Sequence, residues 1–120
     1  MKMLIFVLLS VFVLNASASN ALRIIFPDFF AEAPDRATMV LLAEDSCARA
    51  ALFSLKSKVL GGATTVRIQA LKRISQNAQT RIETYFIVAG AAQGSPVKAL
   101  IETSRHGAQC FAGQPQAASL

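Results

Sequence analysis

The chain has 120 residues, a formal charge of +5 and two cysteines. That length is enough for one domain with one modest core. Two cysteines and one histidine argue against a zinc site of the common four-ligand kind, and cofactor motifs are equally lacking.

Met1-Lys2-Met3 is a short basic start, Leu4–Leu14 is apolar except for Ser10, and Ala16-Ser17-Ala18 supplies small residues. This is the three-part pattern of a secretory signal peptide, residues 1–18. Cleavage is expected after Ala18, with Ala21 as second choice; the competing reading is an uncleaved anchor, for which the run is short. The protein is therefore expected to be secreted, extracellular or periplasmic. Residues 19–111 are read as a single α+β domain and residues 112–120 as a flexible tail. The Asn15-Ala16-Ser17 glycosylation match lies within the signal.

Charge is uneven. Residues 19–45 hold Arg23 and Arg36 against Asp28, Glu32, Asp35, Glu44 and Asp45, a net of −3. Residues 46–120 hold nine Lys or Arg against Glu83 and Glu102, a net of +7. Such a half can attract acidic partners or anionic lipid. The cations are nonetheless spaced singly, with Lys72-Arg73 the only adjacent pair, which fits a solvated surface better, and membrane binding is not favoured. Nucleic acid is set aside as well: the cations form no dense stripe, although Tyr85 could stack a base.

Leu22–Phe26 reads as an edge strand or a docked N-terminal arm, ended by Pro27-Asp28. Thr38–Leu42 fits either a strand or an early helical turn. Asp45–Leu60 reads as the main helix. Asp45 or Ser46 caps it, and Ala48, Leu52, Leu55 and Val59 form its apolar stripe. Gly61-Gly62 stops it. The period then changes to 2: Val66, Ile68, Ala70 and Ile74 alternate with Arg67, Gln69, Leu71 and Arg73. After the polar break at 76–79, Ile82, Thr84, Phe86 and Val88 alternate with Arg81, Glu83, Tyr85 and Ile87. This is a β-hairpin. Val97–Thr103 gives a third strand and Ala108–Phe111 a short fourth. The expectation is one main helix packed on an antiparallel sheet of three to five strands.

In an exported chain, Cys47 and Cys110 are expected to form one disulfide, with free thiols bridged elsewhere as the alternative. The chain shows little of an enzyme. His106 stands alone in a turn, Glu83 and Glu102 suggest no paired-carboxylate site, and no nucleophile elbow frames a serine.

The order of elements resembles the cystatin family: a secreted chain with a long helix, then VRIQALKRIS, a tip, and TRIETYFIVA. The resemblance spans roughly residues 44–104. It places Gln76-Asn77-Ala78-Gln79-Thr80 where the family has its Gln-x-Val-x-Gly loop, and Tyr85 near the start of the following strand. It implies a cystatin-like fold and a divergent inhibitor whose partner is a papain-like cysteine protease, with Gln76, Asn77, Ala78, Gln79 and Thr80 in contact. Only Gln76 matches that loop. Residues 19–60 lack the family's N-terminal Gly, and the chain has no Trp for its Pro-Trp loop.

Overall fold

The structure is a computed structural model and describes residues 22–118. The signal-peptide reading of residues 1–18 and both cleavage positions fall outside the described residues.

Leu22–Phe26 (β1) and Phe29–Ala33 (β2) form an antiparallel hairpin closed by the Phe26–Phe29 pair. Pro27, with its fixed φ, sits in the turn. Ala31 and Ala33 face the core, while Ile25 on the opposite face is largely exposed. The N-terminal segment is thus an edge strand.

Between β2 and the next strand lie two helices where the sequence suggested one. Arg36–Glu44 (α1) is capped by Asp35, whose Oδ1 accepts from the Thr38 N–H at 2.8 Å. This resolves the ambiguous stretch Thr38–Leu42 as helix. Ser46–Leu55 (α2) follows at once. Asp45, in extended backbone, serves both: its N–H donates to the Leu41 carbonyl, and its Oδ1 accepts from the Cys47 N–H at 2.9 Å. Arg49 Nη1 donates to the Leu42 and Ala43 carbonyls, both at 2.9 Å, tying off the end of α1.

The last turn, Lys56–Leu60, is a π-helical turn that ends at Gly61, where φ is +54°. This corrects the expected stripe. Cys47, Ala48, Ala51, Leu52 and Leu55 are buried, but Val59 is 47% exposed and Leu60 packs on the core instead. A π turn holds more residues than an α turn. The inward position therefore slips by one.

Thr65–Asn77 (β3) pairs parallel to β2, with Ala31 opposite Val66, and the two helices supply the crossover that a parallel pair needs. Ile82–Ala91 (β4), Val97–His106 (β5) and Gln109–Ala112 (β6) continue as an antiparallel meander. The residues read as a tail contribute the end of β6 and a further strand, Gln116–Ala117 (β7), which pairs with Ala99 and Leu100. The sheet order is β1-β2-β3-β4-β5-β6, with β7 beside β5. The α+β class holds. The strand number exceeds the expected three to five, and the sheet is mixed because of the parallel β2–β3 pair.

The core lies between the helices and the inner sheet face, where Val66, Ile68, Leu71, Tyr85, Ile87, Ala89 and Ile101 meet Leu42, Leu52 and Leu55. The alternation expected on β3 holds only at Val66 and Ile68. A register shift between Ile68 and Ala70 lets Leu71 take the next buried place, and Ile74, beside a second shift, is 51% exposed. The buried phase of β4 is Glu83, Tyr85, Ile87 and Ala89.

Candidate functional site

Three features gather at the end of the molecule formed by the β3–β4 tip, the β5–β6 turn and the start of α2.

The first is the tip itself. Residues Gln76, Asn77, Ala78, Gln79 and Thr80 are all exposed. Asn77 builds the turn: its Oδ1 accepts from the N–H groups of Gln79 (2.9 Å) and Thr80 (3.1 Å), and its carbonyl accepts from the Arg81 N–H at 2.8 Å. Arg81 holds φ +61°, unusual for a residue with a side chain. Its carbonyl accepts from the Arg105 N–H at 3.0 Å, which fastens the tip to β5. A hollow of about 310 Å³ opens below, lined in part by Gln76, Asn77, Ala78, Arg81 and Arg105.

The second is an ionic cluster at the base of the tip. Tyr85 Oη lies 2.7 Å from Asp45 Oδ2 and 2.9 Å from Glu83 Oε1, so one phenolic proton is shared between two carboxylates. Arg105 spans both, with Nε 3.2 Å from Glu83 Oε2 and Nη2 3.1 Å from Asp45 Oδ1. Arg73 Nη1 stands 3.6 Å from Glu83 and 3.8 Å from Asp45. Two carboxylates and two guanidiniums balance in formal charge. Partial burial pushes the Asp45 carboxyl up, but hydrogen bonds from Tyr85, the Cys47 N–H and Arg105 outweigh it and hold the group below the usual aspartate value. Burial first, then the two carboxylates, push the Tyr85 phenol far above its ordinary range. Hydrogen bonding to Glu83 is the main cause that raises Arg105 further. The cluster corrects the expectation that no carboxylates pair: Asp45 at the helix start and Glu83 on β4 converge through the chain's single tyrosine.

Beside this cluster the Cys47–Cys110 disulfide joins α2 to β6. Ser54 Oγ donates to the Gly113 carbonyl at 2.7 Å and Ser46 Oγ to the Ala108 carbonyl at 3.5 Å, along the same seam. One oxygen each from Asp45 and Glu83 and the Cys47 sulfur lie within 4.8 Å of one another. The sulfur is bonded to Cys110 and the oxygens are held by Arg73, Arg105 and Tyr85, so each of these donors already has a partner.

The third feature is apolar. On the outer sheet face, Ile82 (37% exposed) and Phe111 (56%) flank Ser104 across three strands. They line a hollow of about 320 Å³ with Glu102, Ala112 and Gly113. The His106 ring stands 5.6 Å from that of Phe111, and Ser104 Oγ is 3.0 Å from His106 Nε2. A serine nucleophile needs its base oriented by a third group. Among the described residues no carboxylate pairs with His106.

The basic half is largely engaged within the fold. Besides Arg49, Arg73 and Arg105, Lys56 pairs with Asp28 at 3.8 Å and Arg67 with Glu32 at 3.2 Å.

Comparison of the chain with models of protein families, with curated proteins and with solved structures finds no match in any of the three.

Proposed function

We propose that this is an exported, disulfide-bonded protein that acts by protein–protein contact, with Gln76–Thr80 as the contact tip and the Ile82–Phe111 hollow as its apolar flank. The observation that carries this reading is the tip's preformed exposure. Its backbone is held by Asn77 and its base by the ionic cluster, so a partner meets a surface already ordered and the ordering cost of association falls. Ile82 adjoins the tip in sequence and gives a contact the apolar centre that a polar turn lacks. The disulfide fits an oxidising compartment.

The partner class the tip suggests is a papain-like cysteine protease, whose groove the hairpin would enter as a divergent inhibitor. Binding rather than catalysis is supported by the cluster: its carboxylates are neutralised by arginine and bridged by a phenol, which leaves neither poised as a general base. A membrane-directed role has less support, since most cations of the basic half already have protein partners.

The test is an inhibition titration of the oxidised chain against a papain-like cysteine protease. Inhibition that falls in Gln76→Ala/Asn77→Ala and in Ile82→Ser places the contact as proposed. No inhibition at micromolar protein removes the protease. Inhibition unchanged by both variants removes the tip.

A further inference from the structure

Helix α1 buries Thr38 and Leu42 and turns its opposite side outward. There Arg36, Ala37, Val40 and Glu44 are exposed, Val40 by 41%, and Leu41 is half-buried. These five residues line a hollow of about 710 Å³ that Asp45 and Arg105 complete. Asp45 and Arg105 hold each other at 3.1 Å. The side chains of Arg36 and Glu44 have no ion pair or hydrogen bond among the described residues. The face is thus an apolar centre with an unpaired cation at its start and an unpaired carboxylate at its end. We propose that this face docks a second copy of the chain, with α1 antiparallel to its counterpart and Val40 on the two-fold axis.

The pattern is self-complementary. Residues at i and i+4 share a helix face, and Arg36 and Glu44 stand one such step before and after Val40. At about 1.5 Å per residue each lies about 6 Å from Val40 along the axis. A two-fold axis through Val40 therefore sets Arg36 of each copy level with Glu44 of the other, twice, which is the condition of an isologous contact. Ala37 is small, so the helix axes can approach to about 8–10 Å, within reach of both long side chains. The polarity of the helix is a second, independent observation. A helix favours anions at its N-terminus and cations at its C-terminus. Along this face α1 carries the reverse: Arg36 is its first residue and Glu44 its last, with no acid in the first turn and no base in the last. Asp35 and Arg49 serve the helix ends through backbone groups and leave those two side chains unmatched. In the antiparallel pair each charge lies beside the opposite end of the neighbouring helix. An arrangement unfavourable within one copy thus becomes favourable between two. One pair of nine-residue helices buries well under the roughly 1,200 Å² of a standard interface, so the dimer is weak and exchanges with monomer.

The experiment is sedimentation of the oxidised full chain at low salt, from about 10 μM to about 1 mM, the range in which so small an interface associates. The expected result is a monomer–dimer equilibrium that weakens as salt is added. Arg36→Glu and Glu44→Arg each turn two attractive pairs into two repulsive ones, so each variant alone should self-associate about tenfold more weakly or worse. A one-to-one mixture of the two variants should associate again, because every facing pair is then of opposite sign, and so should the double variant Arg36→Glu/Glu44→Arg. Lost association is not lost folding here: each single change places a charge that suits the helix's own dipole, so the Tm of the dilute variants should hold or rise. A chain that stays monomeric at about 1 mM would overturn the proposal. Association that ignores both charge reversals would also overturn it, since another part of the chain would then drive it. So would a mixture that fails to associate while the wild type does, because the charges would then not face each other.

Discussion

Tyr85→Phe isolates the ionic cluster with least disturbance, because it deletes one oxygen and leaves the ring that fills the core. The lost phenolic proton serves two carboxylates at 2.7 and 2.9 Å. A hydrogen bond to a charged group contributes about 1.5–3 kcal/mol, and one proton counts once. Without it two carboxylate oxygens within 4.8 Å face each other. At an effective dielectric constant near 20 they repel by about 3–4 kcal/mol before the two arginines offset most of that. The expected cost is about 2–4 kcal/mol at pH 7, or a fall in Tm of roughly 10–20 °C for a domain of this size. The pH dependence is more diagnostic. The Tyr85 hydrogen bond is the largest of the contacts that hold the Asp45 carboxyl low, so without it Asp45 should take up its proton at a higher pH than in the wild type. The stability gap from wild type should therefore be full at pH 7 and shrink as pH falls from 7 to about 3, through the ordinary aspartate value of about 3.9. Denaturant titration of both oxidised proteins at the two pH values measures it. A gap below about 1 kcal/mol at pH 7, or one of constant size, would refute this account of the cluster.

Reduction, or Cys110→Ser, opens a loop with a sequence separation of 63 and should cost about 4 kcal/mol in denaturant titrations. Asp45 has its folded pKa held low, so its contribution is present above the unfolded value of about 3.9 and is lost as pH falls through the folded value. Acid titration should show that loss below about pH 4, and Asp45→Asn should flatten it. Gly90→Ala should destabilise by about 1–3 kcal/mol, since a Cβ there would lie 2.9 Å from Pro96 Cα and 3.1 Å from the Ser95 carbonyl oxygen, both backbone atoms. Arg81→Gly relieves a side chain at φ +61° and should raise stability by about 0.5–1 kcal/mol by thermal melting.

The sequence announced the elements that carry strong local signals. Asp45 before an apolar stripe and Gly61-Gly62 after it mark the helix, and period-2 alternation around Asn77 marks the hairpin. The disulfide followed from two cysteines and the expectation of export. What stayed hidden has specific causes. α1 contains Thr38 and Val40, β-branched residues that suit a strand as well as a helix, and only the Asp35–Thr38 cap decides the matter. The π turn that turns Val59 outward, and the register shifts that turn Leu71 inward, depend on the fit of one element against another. On β4 both phases are half apolar, so the pattern did not say whether Glu83 or Thr84 faced the helices.

The cluster was illegible for a related reason, although one signal was available. Glu83 and Tyr85 share a strand face with Ile87, and an acid on a buried face demands a cation and a donor. Its partners come from α1–α2, β3 and β5, none of them near it in sequence. The demand also explains how so long a hairpin is held. Beyond Leu71 every residue of β3 is exposed, as are residues 78–82, so apolar burial cannot anchor the tip. Arg73, Glu83 and Arg105 do so from its base, through Asp45 and the disulfide-bound helix. It follows that Tyr85→Phe should weaken any partner bound at Gln76–Thr80 without touching it, by loosening the base, whereas Gln76→Ala/Asn77→Ala should weaken that partner with the base intact. Hydrogen exchange at the Arg81 and Arg105 amides separates the two: faster in the first variant and unchanged in the second.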